Sequence, residues 1–254
     1  MLHYPQKGGM NMSFTTSDYE QLQVLMDECP ENKALIQKLL DSHRYTVSKI
    51  SHEIRNPLSL IYSMLQITET QHPEVKTFKY WGQICNDLEF INQLLTELSA
   101  YNNSEHLRME TFSFTEFLKK ICLSFAASCT DTDIEFTSLI ISEPVIYNGD
   151  PVKLREAILN LLKNAKEAIS GKGSIRLETS LTKNHFIIRI SDTGCGIAVE
   201  DLDTIFDTFV THKTGGTGLG LAIVQKTIMA HNGCISVDSA PSKETTFVLQ
   251  FPIT

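Results

Sequence analysis

The chain has no long cluster of lysine and arginine. Its 22 basic residues are outnumbered by 30 acidic ones, for a formal net charge of −8. A surface that coats nucleic acid needs concentrated positive charge to displace counterions from phosphates, so no nucleic-acid partner is expected. A nucleotide site stays open, because a few local donors suffice there. The six cysteines are scattered, with no C-x-x-C pair and no H-x-x-x-H nearby. That argues against structural zinc and fits reduced thiols in a cytoplasmic protein. No stretch reaches the roughly 18 apolar residues of a membrane span. The opening "MLHYPQKGGMNMSF" lacks the apolar centre of a signal peptide. Neither a span nor secretion is therefore expected.

What is present is ordinary globular composition, 42% hydrophobic and 20% charged over 254 residues, enough for about two domains. Ser17 and Glu20 stand at capping-box spacing and predict a short helix to about Glu28. A long helical pattern follows over about 31–71. Within it Val47, Ile50, Ile54, Leu58, Ile61 and Leu65 recur every three or four residues as one apolar stripe. Pro73 stops it. Phe78, Trp81, Cys85, Leu88, Ile91, Leu95 and Leu98 form the stripe of a second helix. The connection is short, so the two should lie antiparallel. Two helices cannot fully bury two stripes, and pairing two hairpins into a four-helix bundle would, so a homodimer is expected.

"YNNSEH" (101–106) reads as a linker. Beyond it, helices begin at Ser113 and at Asp150-Pro151, an N-cap followed by a first-turn proline. Strands are expected at 134–141, 144–148, 174–181 and 185–191. A glycine-rich segment, a helix over 218–231, a turn at Asn232-Gly233 and two closing strands complete the pattern. Helices mixed with largely adjacent strands predict an α/β sandwich with helices on one face. The expected domains are an N-terminal segment (1–42), a helical hairpin (43–103) and the sandwich (104–254).

In "SHEIRNPL", His52 falls on the side opposite the apolar seam, facing water. An exposed helical histidine is usually an ordinary surface residue, but its neighbours suggest more. Glu53 is adjacent and can take a proton. Asn56 lies four residues on, on the same face. Pro57 removes an N–H and crowds the Glu53 carbonyl. A neutral imidazole with a proton acceptor at hand suits attack on an electrophile such as a phosphoryl group.

In "LREAILNLLKNAKEAI", Leu154, Ile158, Leu161, Ala165 and Ile169 make a buried face, while Asn160 and Asn164 share another. Asparagine is a poor helix-interior residue. Its amide oxygen can hold hydrated Mg²⁺ beside phosphates, with Lys163 and Lys166 adding charge. The competing reading is a solvated helix face. In "SDTGCGI" a strand ends at Asp192, whose carboxylate can accept from an adenine amino group, with Gly194 and Gly196 allowing close backbone approach. The bland alternative is a strand-exit turn. In "HKTGGTGLGLAIV" Gly215, Gly216, Gly218 and Gly220 precede a helix, where backbone N–H groups can cradle phosphates. Neither the P-loop nor the dinucleotide pattern fits.

Together these motifs resemble the transmitter core of bacterial sensor histidine kinases. "SHEIRNPL" resembles the phosphoacceptor box, "NLLKNAKEA" the N box and "DTGCGI" the first glycine box. "IFDTFVTHKTGGTGLGLAI" resembles the phenylalanine box, lid and second glycine box. The resemblance runs from about residue 49 to 252. It implies a dimerisation and phosphoacceptor hairpin followed by a gyrase/chaperone/kinase-type ATP-binding domain. It implies His52 as phosphoacceptor, Glu53 as its base and Asn164 as the Mg²⁺ ligand, with Asn160 as the second N-box residue. Asp192 would read adenine beside Gly194, Gly196 and Ile197. Phe206 and Phe209 would belong to the lid hinge. Lys163, Lys213, Gly216, Thr217, Gly218, Leu219 and Gly220 would serve the nucleotide. The partner implied is the receiver domain of a response regulator. "E-x-x-N" (53–56) resembles the family's phosphatase motif, with Asn56 placing water.

Two features depart from the family. Its glycine turn is here "SKETTF", with Ser242 and Glu244 in place of glycines. Only about 40 residues precede the hairpin, too few for a separate sensing fold, so the input expected is a separate sensor protein or a soluble cue. Two other readings compete. A hydrolytic ATPase clamp would need a glutamate where Asn160 stands, since an amide cannot act as the base. A non-catalytic scaffold is at odds with Asp192, Asn164 and the intact glycine segment.

Overall fold

The computed structural model describes residues 24–26, 29–213 and 215–253. The capping box at Ser17 and Glu20 lies outside them; residues 24–26 are helical. The chain divides into two compact units between Lys49 and Ile50. Among the described residues, no helix is long and apolar enough to cross a membrane.

Helix α1, Pro30–Gln71, runs unbroken through Pro57. Pro73 opens a 3-10 turn, Pro73–Thr77, and α2 follows as Trp81–Asn103. The expected linker at 101–106 is thus partly helix: α2 runs to Asn103. Phe78 lies before it, outside the helix whose stripe it was expected to join. The two helices are antiparallel. Trp81 Nε1 donates to Glu69 Oε1 at 2.7 Å near the turn, and Arg55 Nη2 donates to Thr96 Oγ1 at 3.5 Å farther along. The expected stripes are only partly covered. Leu58, Leu65, Trp81, Cys85 and Leu88 are half-buried and Leu95 is buried. Ile50, Ile54 and Ile61 stay 43–49% exposed.

The remainder holds the core. Strand β1 is Glu110–Ser113, α3 Phe114–Cys129, β2 Ile134–Leu139, β3 Ile146–Gly149 and α4 Pro151–Ala168. Then come β4 Gly173–Leu181, β5 His185–Asp192, a 3-10 turn Val199–Asp201, α5 Gly220–Ala230, β6 Cys234–Ala240 and β7 Glu244–Pro252. The main sheet has the order β2-β4-β5-β7-β6, with β2 and β4 parallel and the other pairs antiparallel. β1 pairs with β3 in a separate antiparallel ribbon. That four-residue strand was not expected, since so short a segment shows no alternation to read.

Local chemistry sets the boundaries. Ser113 accepts the Glu116 N–H at 3.3 Å and caps α3. Asp150 Oδ1 caps α4 by accepting from Val152 N–H at 3.0 Å and Lys153 N–H at 3.1 Å, and Pro151 supplies a first-turn residue that needs no donor. Each such cap contributes about 1 kcal/mol. The α4 stripe of Leu154, Ile158, Leu161, Ala165 and Ile169 is buried throughout. It meets alternate residues of the sheet: Ile175 and Leu177, Phe186, Ile188 and Ile190, Phe247, Leu249 and Phe251. Fully burying each such large side chain contributes about 1.5–3 kcal/mol. This is a helix layer on one sheet face.

Candidate nucleotide site

The alternation that builds the core also places a carboxylate. Along β5, Phe186, Ile188, Ile190 and Asp192 share the buried side. Asp192 is therefore only 4% exposed. Burial pushes its pKa up, against the Gly194 N–H that donates to Oδ1 at 2.9 Å and the charge of Lys213. The loop beyond is tightly fitted. A Cβ at Gly194 would lie 2.6 Å from the Ala168 Cβ, and one at Gly196 would lie 2.2 Å from the Ala240 carbonyl oxygen. Cys195 N–H donates to Ala168 O at 3.0 Å, tying the loop to the end of α4.

The closing hairpin also meets this loop. Ser242 N–H donates to Cys195 O at 2.7 Å, and Ser242 itself has φ +60. The "SKETTF" turn is thus in direct contact with the first glycine loop.

Asp192 lines a cleft of about 590 Å³. Asn160, Lys163 and Asn164 line it from α4, Gly196 and Ile197 from the first glycine loop, and Lys213, Gly216, Thr217, Gly218 and Gly220 from the second. Lys213 Nζ donates to Asn164 Oδ1 at 2.9 Å and to Glu167 Oε2 at 2.7 Å. An ammonium thus stands against the amide oxygen of Asn164, which shows that this position accepts positive charge. Among the described residues no three His, Cys, Asp or Glu side chains gather as metal ligands. A cation here would rest on Asn164 and on oxygens brought by a ligand. Gly218 has φ +70, and a Cβ there would lie 2.5 Å from the Phe209 backbone, to which its own carbonyl is bonded at 2.9 Å.

Several expected residues stand elsewhere. Lys166 points away, donating to Ser128 O at 2.5 Å. Leu219 is buried under the loop, and Phe206 packs edge-on against Phe247 with ring centroids 6.4 Å apart. Gly194 shapes the cleft through its backbone bond to Asp192 without lining it. His52, Glu53 and Asn56 are exposed on α1 and do not line the cleft.

Other lining residues had no local signal. Thr245 stands opposite Asp192 in the β5–β7 register; only strand pairing puts it there. Glu167 joins through Lys213. Gln93 and Glu97 reach the cleft from α2, and Thr217 Oγ1 donates to Glu97 Oε2.

Residues 149–254 match the family described as histidine kinase-, DNA gyrase B-, and HSP90-like ATPase. The chain is 33% identical over 205 residues to the signal transduction histidine-protein kinase AtoS of Escherichia coli (strain K12), covering 80% of this chain and 34% of that protein. It is 30% identical over 210 residues to sporulation kinase C of Bacillus subtilis (strain 168), covering 80% and 47%. The chain thus spans a third to a half of the length of these relatives. Among solved structures, full-length ShkA in complex with AMPPNP shares the fold, with TM-score 0.70 and 22% identity over 82% of this chain and 45% of that one. The mycobacterial sensor histidine kinase MprB matches with TM-score 0.51 and 27% identity, over 57% of this chain and 97% of that one. Over the length it shares with them the chain is similar to sensor histidine kinases, and its residues 149–254 match the histidine kinase-, DNA gyrase B-, and HSP90-like ATPase family.

Proposed function

We propose that this chain is an ATP-dependent protein histidine kinase that phosphorylates His52 and passes the phosphoryl group to an aspartate of a response-regulator receiver domain. The observation that carries the reading is the cleft itself: a buried carboxylate, an asparagine-lined helix and a glycine-rich segment lining one cavity. Asp192 accepts from the adenine amino group. Asn160 and Asn164 face the phosphates, and Asn164 Oδ1 is the oxygen offered to Mg²⁺. Mg²⁺, when bound, neutralises phosphate charge and orients the terminal phosphoryl group. Lys213 leaves Asn164 and Glu167 for the phosphates, exchanging the Glu167 carboxylate for another anionic partner.

The chemistry lies with the hairpin. A His52 ring nitrogen attacks the γ-phosphorus as the bond from that phosphorus to the bridging oxygen breaks, leaving ADP. Glu53 orients the ring and takes the proton from its other nitrogen. His52 is exposed and outside the cleft lining, so hairpin and ATP-binding domain must rearrange for this step. On the same exposed face, Asn56 is the residue proposed to place water against the regulator's phospho-aspartate. The uncovered Ile50, Ile54 and Ile61 support a homodimer.

The test is incubation with Mg·ATP labelled at the γ-phosphate. Acid-labile, base-stable label that disappears in His52→Gln is the expected result. Label retained in that variant would overturn the assignment.

A further inference from the structure

The glycine-rich segment is held by carboxylates from three different elements. Asp201 Oδ2, in the 3-10 turn, lies 3.2 Å from His212 Nε2. Glu167 Oε2, on α4, accepts from Lys213 Nζ at 2.7 Å. Glu97 Oε2, on α2, accepts from Thr217 Oγ1. The first two partners belong to the ATP-binding domain. Glu97 belongs to the hairpin, so it alone of the three ties the segment to the helices that carry His52.

Thr217 is well placed for such a tie. It is 8% exposed, and its oxygen also accepts the Leu219 N–H at 3.3 Å. Its side chain therefore braces the turn that leads into α5. Glu97 and Gln93 line the same cleft as Asn164, Lys213 and Gly218. The residue next to Glu97, Thr96, accepts from Arg55 at 3.5 Å, and Arg55 stands three residues after His52. One turn of α2 thus touches both the phosphoacceptor helix and the glycine segment.

We infer that Glu97 is an autoinhibitory tie: its carboxylate holds Thr217 in the place of a nucleotide's phosphates and couples lid release to movement of the hairpin. The inference rests on the reading that the cleft takes ATP. Polyphosphate and carboxylate are both anionic acceptors and both seek the donors of this segment. A carboxylate close to an incoming phosphate also raises the cost of keeping both charged. Nucleotide entry and the Glu97–Thr217 bond therefore oppose one another. Linkage makes the opposition reciprocal: displacing α2 tightens nucleotide binding, and nucleotide loosens α2 from the lid. No bond is made or broken in this device, only a hydrogen-bond acceptor exchanged.

The experiment uses the full chain with Glu97→Ala and Glu97→Gln. Amide hydrogen exchange over residues 209–219 is measured without nucleotide, and Mg·ATP affinity is measured by titration. Both variants are checked for wild-type secondary structure, and Glu97→Gln keeps the size and an acceptor oxygen. Faster lid exchange and about tenfold tighter Mg·ATP binding are expected for Glu97→Ala, the loss of one hydrogen bond to a charged group. A smaller change of the same sign is expected for Glu97→Gln. Exchange unchanged in both variants would overturn the tie. Faster exchange with weaker nucleotide binding would also overturn it, making Glu97 a support of the site rather than a competitor. If wild type and variants alike bind no nucleotide while exchange still quickens, the tie stands and the ATP reading falls.

Discussion

His231 and Asp150 are joined across 81 residues: the Asp150 backbone N–H donates to His231 Nε2 at 2.9 Å. On the other side of the ring, Nδ1 lies 2.7 Å from the Thr227 carbonyl. One nitrogen must therefore accept and the other donate, which is the pattern of a neutral imidazole. The ring is 2% exposed, and Tyr147 OH donates to the His231 carbonyl at 3.0 Å. Asp150 in turn accepts the Arg108 N–H at 2.8 Å through Oδ2. The segment leading into β1, the start of α4 and the end of α5 thus meet at one small polar cluster.

This cluster predicts a pH dependence of stability. Burial lowers the His231 pKa, with the charge of Lys153 adding to it, against the Thr227 bond and the charge of Asp150. The folded chain then holds fewer protons on this ring than the unfolded chain once pH drops below about 6.5, the ordinary histidine value. Stability contributed by the neutral ring should be complete above that pH and decline as pH falls toward the lowered folded value. Asp150 behaves separately. Burial would raise its pKa, but the Arg108, Lys153 and Val152 N–H groups and the Lys153 charge together bring it below the usual carboxylate range. Its contribution is lost only in stronger acid. Thermal melts from pH 7.5 to 5 should show the first decline, and His231→Phe should flatten it. A flat wild-type profile over that range would contradict the neutral-ring assignment.

Asp192→Asn should weaken ATP binding. The substitution keeps the shape and can keep an oxygen for the Gly194 N–H, but it turns the second acceptor into a donor facing the adenine amino group. A mispaired polar group in so buried a position costs about 1–3 kcal/mol, or roughly ten- to hundred-fold in affinity. Titration calorimetry with ATP and GTP checks this. Equal ATP affinity in variant and wild type would leave Asp192 a turn residue.

Ser242→Gly should stabilise the chain. Ser242 sits at φ +60, a region where a side chain is strained and glycine is not. Relief of that strain, less the added freedom of glycine in the unfolded chain, should contribute about 0.5–1 kcal/mol. The matching rise in melting temperature is a few degrees, about 2–4 °C per kcal/mol for a chain of this size. A fall in melting temperature would mean that the serine side chain contributes more than its backbone costs.

Ile61→Asp should dissociate the proposed homodimer while leaving the single chain folded. Ile61 is 44% exposed in the single chain, so the charge stays solvated there and becomes buried only when a second copy covers it. Light scattering with circular dichroism reads the two effects separately. Leu58, half-buried within the chain, would confound them. A variant that remains dimeric would place the seam on another face.

The sequence by itself determined the elements whose causes are local. Asp150 and Pro151 marked the start of α4, Ser113 that of α3, and periodicity located both hairpin helices, because caps and amphipathic stripes act within a turn or two of chain. The motif order likewise brought Asn160, Asn164, Asp192 and the glycine segment into one expectation, and all four line one cleft. Tertiary structure alone decided what depends on distant chain meeting distant chain. β1 exists as a strand through its pairing with β3. Thr245 reaches the cleft because the β5–β7 register sets it opposite Asp192. Glu97, 120 residues before Thr217, bears no mark in its own helix of the lid it holds, since hydrogen bonds over such separations leave no periodicity to read.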